Sequence, residues 1–120
     1  MQFLVRLSLS SGARPNTETE GLAFINNYIF PTLERCSELQ KEQKIIAGGP
    51  ESGSVALALI VQAASAAELD EVITSLPVWP RMETTVTLLT TFEDRRRSVD
   101  AVLEMVKSRA RKQQKADDRQ

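Results

Sequence analysis

The apolar positions of this chain repeat every second residue in some stretches and at helical spacing in others, and their order outlines a fold. From Gln2 to Leu9 the alternation is clean: Phe3, Val5, Leu7 and Leu9 share one face, Gln2, Leu4, Arg6 and Ser8 the other. That is a strand with one face on a core. Ser10 to Asn16, punctuated by Gly12 and Pro15, reads as a turn. Thr17 is placed to cap a helix whose first turn holds Glu18 and Glu20. Leu22, Ile25, Ile29, Leu33, Cys36 and Gln40 then keep helical spacing. Pro31 falls inside that run, where it deletes a backbone bond and crowds the preceding turn. A kink near Asn27 to Phe30, or two helices meeting there, is expected.

Lys44 to Gly48 predicts a short second strand, ended by Gly48, Gly49 and Pro50 in a hairpin turn. A loop through Gly53 leads to a buried strand over Ser54–Gln62, with Val55, Leu57, Leu59 and Val61 on one side and Ala56, Ala58 and Ile60 on the other. In the next stretch Leu69, Val72, Ile73 and Leu76 return to helical spacing, behind Ser65 and Glu68 in a capping-box pattern. Pro77 stops that helix, Pro80 repeats the constraint, and Trp79 is held between them. From Met82 the β-branched run Thr84, Thr85, Val86 and Thr87 predicts a last strand.

Strand, helix, strand, strand, helix, strand is the split βαβ order of ferredoxin-like folds. Right-handed crossovers place both helices on one face of a four-stranded antiparallel sheet, so the expected class is α+β. The other face, with Leu4, Ala56, Ala58 and Ile60, is left bare and is expected to meet a second copy of the chain. Residues 1–92 make the domain, and residues 93–120 a C-terminal helix and polar tail. There Val99, Val102, Leu103 and Val106 give about two turns of apolar stripe before the sequence frays into Arg, Lys and Gln.

Composition narrows the chemistry. The net charge is −1, but unevenly spread: residues 1–92 hold six Lys/Arg against ten Asp/Glu, and residues 93–120 hold nine against six. Acidic residues interrupt the basic tail, so nucleic acid is not an expected partner. One cysteine, Cys36, leaves no internal disulfide and fits a reducing, cytoplasmic setting without a signal peptide. No apolar run approaches the ~20 residues of a membrane span. With no histidine and no cysteine cluster, neither a metal nor a cofactor is expected. Arg6 and Glu83 are the charged residues within the central strands, on strands that neighbour each other in this topology. Arg6 could bind a substrate carboxylate and Glu83 act as base; a cross-strand ion pair is the structural alternative. Tyr28 and Trp79 could line an apolar pocket, with a core role between helix and sheet the alternative for Trp79. Cys36, on the helical stripe, reads as a buried inert thiol.

FLVRLSL at the start and ELDEVITSLPVWPRMETTVTLL from Glu68 resemble the muconolactone delta-isomerase family of dimeric α+β barrels. The match lies in Arg6 on the opening strand and in the corner of Leu76, Pro77, Trp79 and Pro80; it covers roughly residues 1–92. Ala47-Gly48-Gly49-Pro50 looks more like related members than the isomerase proper. The resemblance implies a homodimer or higher oligomer, a small-molecule site, and isomerisation of an unsaturated lactone or organic acid by proton transfer. Two departures stand out: there is no histidine, and a position acidic in the isomerase is Thr85, here counted as substrate-binding, with Glu83 two residues earlier. Two other readings remain open: a non-catalytic self-assembling or ligand-binding module, and a cofactor-free oxygenase of the antibiotic-biosynthesis type.

Overall fold

The computed structural model describes residues 1–119. Two units are distinguished, Met1–Leu89 and the segment from Thr90 onward. In the first, β1 (Gln2–Ser8), α1 (Glu18–Phe24), α2 (Phe30–Lys41), β2 (Ile45–Pro50), β3 (Ala56–Gln62), α3 (Ala66–Thr74) and β4 (Glu83–Leu89) follow one another. The strands form one antiparallel sheet in the order β2-β3-β1-β4, the ferredoxin-like arrangement.

Alternation decides which face is covered. Phe3, Val5 and Leu7 of β1 and Leu57, Leu59 and Val61 of β3 are buried against Leu39 of α2 and Leu69, Val72 and Ile73 of α3. Leu4, Arg6, Ala58 and Ile60 take the opposite face. The nine-residue α3 is about 13 Å long, and Val86 and Leu88 of β4 stay exposed on the helix side of the sheet.

The starts of α1 and α3 are capped twice over. Thr17 Oγ1 accepts from the Glu20 amide while the Glu20 carboxylate accepts from the Asn16 amide. Ser65 and Glu68 repeat the arrangement, with the Ala64 amide as the second donor.

The irregularity expected near Asn27 to Phe30 takes the form of a π-helical turn, Ile25–Ile29, where α1 and α2 meet, with the chain helical on both sides. The wider turn makes room for a proline ring that an α-helical turn would crowd. Gly48, Gly49 and Pro50 are not a hairpin turn but the second half of β2, paired with Leu59, Ala58 and Leu57. A bulge between Ile45 and Ala47 shifts the pairing, and Gly48, at φ 109°, follows it with its α-carbon against the Ala58 carbonyl. Only glycine fits that approach, so the glycine signals a bulge rather than a chain reversal. Trp79 is 42% exposed; its neighbour Val78 fills the core instead, at 1%. Thr32 Oγ1 accepts from the Val78 amide at 3.1 Å and holds that residue inward, before the 3₁₀ turn Trp79–Arg81.

The second unit is one helix, α4 (Phe92–Asp118), capped by Thr91 Oγ1 accepting from the Asp94 amide. It does not fray after its apolar stripe. Gln113 and Gln114 donate to Asp117 and Asp118 one turn on, and the segment is rich in strong helix formers. Gln120 lies outside the described residues. No described helix is long and apolar enough to cross a membrane.

Candidate active site

The charged groups of the sheet gather on its bare face. Arg6 is opposite Ala58 on one side and Thr85 on the other. Its guanidinium donates from Nε to Glu51 Oε2 at 2.8 Å and from the terminal nitrogen to Oε1 at 3.3 Å, a fork-to-fork pairing. Glu51 directly follows β2, and its amide bonds to the Ala56 carbonyl. Ala58, opposite Arg6 in one pairing and Gly49 in the other, puts little bulk between Arg6 and β2. Both remain partly exposed, at 47% for Arg6 and 32% for Glu51.

Glu83 and Thr85 are on that same face by strand alternation. Register places Glu83 opposite Ser8, two pairs further along than Thr85 opposite Arg6. Among the described residues no ion pair joins Glu83 to Arg6; Glu51, 45 residues away in sequence, is the partner. Sequence reasoning missed Glu51 because it was assigned to a loop beyond a turn. The available signal was that β2 and β3 need a connection, and that Glu51 is its acidic residue.

The helix side holds a cavity of about 350 Å³. Phe24 of α1, Ile25 and Ile29 of the π turn, and Leu33 of α2 form one wall, and Val55, Leu57, Val78 and Met82 contribute to the rest. Thr32 and Ser54 are its hydroxyl-bearing residues, and among the described residues no ionisable side chain lines it. Thr32 is 2% exposed, and its oxygen already accepts from the Val78 amide, leaving the hydroxyl proton to donate. Tyr28 stands beside this wall, its ring 5.7 Å from that of Phe24 and its face 5.2 Å from the Arg81 guanidinium carbon. Neither Tyr28 nor Trp79 lines the cavity.

Two further groups complete the inventory. Cys36 is half-buried against the core, and burial pushes its thiol above the ordinary value while nearby Arg35 pulls it partly back. A protonated thiol is a poor nucleophile, so Cys36 offers no reactive centre at neutral pH. Thr84 Oγ1 is buried without a hydrogen-bond partner, on the helix side opposite Leu7. No group of three His, Cys, Asp or Glu side chains among the described residues is arranged to hold a metal.

The arrangement therefore separates two capacities. The bare face carries a guanidinium and two carboxylates, suited to binding an anion and moving a proton. The cavity offers apolar volume and a hydroxyl, suited to holding a ring without chemistry.

Comparison with known proteins bears on these capacities. The sequence pattern of the muconolactone delta-isomerase family matches residues 1–95. A crystal structure of muconolactone isomerase superposes with a TM-score of 0.63 at 19% identity, covering 76% of this chain and 90% of that one. The 5-chloro-2-hydroxyhydroquinone dehydrochlorinase of Burkholderia phenoliruptrix AC1100, in complex with 2,5-dihydroxybenzoquinone, gives 0.57 at 22% identity, covering 78% and 98%. At these identities the two structures establish a shared fold. No curated protein matches the chain by sequence.

Proposed function

This chain belongs to the muconolactone delta-isomerase family, and from that premise we propose that it binds a small unsaturated organic acid or lactone and isomerises it by proton transfer on the bare sheet face. The reading is carried by the forked Arg6–Glu51 pair, with Glu83 on the same face. A guanidinium matches a substrate carboxylate in two parallel bonds. In the ligand-free protein Glu51 keeps that fork oriented, and an incoming carboxylate takes its place. Proton removal beside a carbonyl then needs a base and a group that steadies the developing oxyanion. Glu83 is the base in this reading, Arg6 steadies the oxyanion, and the Thr85 hydroxyl, opposite Arg6, orients the substrate. Tyr28, in the helix layer, and Trp79, in the corner, take no part. A second copy seated on the face, making a homodimeric barrel, would exclude water and strengthen each of these contacts.

A second reading rests on the cavity. Its wall lacks any ionisable group, which suits a module that holds a small apolar ligand and performs no chemistry.

Calorimetric titration with muconolactone, combined with a turnover assay, separates the two. Arg6→Ala is expected to weaken binding about 10- to 150-fold, the range for losing hydrogen bonds to a charged group. Glu83→Gln is expected to keep binding and lower turnover about 10²- to 10⁴-fold. Unchanged binding in Arg6→Ala, together with its loss on filling the cavity by Leu33→Trp, would establish the second reading.

A further inference from the structure

Nothing in α4 is buried over its 27 residues. Val99, Val102, Leu103 and Val106 are 47–54% exposed along one stripe, and Met105 beside them is 48% exposed. A helix in water draws most of its stability from packing such a stripe, so the stripe needs a partner surface. Almost all of α4 lies beyond the family match, which stops at residue 95.

In Met1–Leu89, the outer side of α1 and α2 is apolar without cover. Leu22 and Phe30 are exposed at 63% and 56%, and Ile25 and Leu33 at 42% and 39%. Ile25 and Leu33 also line the cavity, so this patch is the cavity's outer wall. Charge distinguishes the two surfaces. Between Glu18 and Glu42 there are five glutamates against Arg35 and Lys41. Between Lys107 and Lys115 there are five Lys or Arg and no acidic residue.

We propose that α4 of one copy docks its Val99–Val106 stripe on the Leu22–Leu33 patch of a second copy, with its basic half against the glutamates of α1 and α2. The basic half of α4 complements the acidic surface of α1 and α2, and a second copy offers both surfaces in reciprocal positions. Reciprocal exchange closes a two-fold pair and buries each surface twice, which brings a contact of only two or three helical turns toward the area a stable dimer needs. The docked helix then forms part of the lid of its partner's cavity.

Disulfide trapping in the full-length chain tests this. In a Cys36→Ser background, Leu22→Cys and Val102→Cys are prepared as separate proteins, mixed, and oxidised at low and high salt. The expected product is a covalent dimer joining one chain of each kind, formed several-fold less at high salt because the charges are screened. Absence of the mixed dimer would overturn the proposal. So would a Val102→Cys dimer with itself as the main product, or an internal crosslink as the main product in a chain carrying both cysteines.

Discussion

A Cβ at Gly48 would collide with the Ala58 carbonyl oxygen, and its φ of 109° belongs to backbone that side chains rarely adopt. At the neighbouring Gly49 a Cβ would meet nothing within 4 Å. Gly48→Ala is therefore expected to cost about 1–3 kcal/mol from backbone strain alone, with the collision adding to it. Gly49→Ala should stay within about 0.5 kcal/mol of the parent. Urea denaturation of the pair checks this, and equal midpoints would show that the bulge in β2 needs no glycine. The same scale shows a limit of sequence reading. The identity of Arg6 as the charged residue of β1 was visible, but its partner was not. Choosing between Glu83 and Glu51 depends on a register offset of two pairs and on Ala58 and Gly49 being small, neither of which a strand pattern displays.

Elements are joined here by few directed contacts, and the bond from the Val78 amide to Thr32 Oγ1 is one that is buried. It ties α2 to the corner between α3 and β4. Thr32→Val would leave the Val78 amide without an acceptor and is expected to lower stability by about 1–3 kcal/mol. Thr32→Ser should retain most of it. Thermal unfolding of both variants is the measurement, and equal losses would assign the effect to packing rather than to the hydroxyl. Helix starts were legible because caps are local: Thr17 and Ser65 with Glu20 and Glu68 carry their own partners within four residues. The corner was legible as a stop but not in detail. Prolines 77 and 80 announce that the chain turns, whereas the side chain that turns inward is settled by Thr32, 46 residues from Val78. The π turn is intermediate: Pro31 signals irregularity, and the structure absorbs it in Ile25–Ile29 with helix on both sides.

For the whole molecule the bare sheet face is the feature with the largest consequence. Leu4 is 39% exposed there and pairs in register with Ile60, so one charge in this row would oppose any close contact with a second copy. Ile60→Glu is expected to remove the sheet-face contact and lower the sedimenting mass about two-fold at micromolar concentration, leaving the α4-mediated pair, while circular dichroism stays unchanged. An unaltered oligomer would place the contact elsewhere. The sequence by itself determined the order of the elements, the sheet topology that follows from that order, and which side chains share each strand face. Those properties depend on periodicity and caps, which act over a few residues. Only the tertiary structure decided that Glu51 holds Arg6, that Val78 rather than Trp79 is core, and that the π turn and the β2–β3 connection enclose a cavity. Each of these joins residues about 25 to 46 positions apart, and such meetings depend on the register and packing of whole elements, which no local pattern encodes.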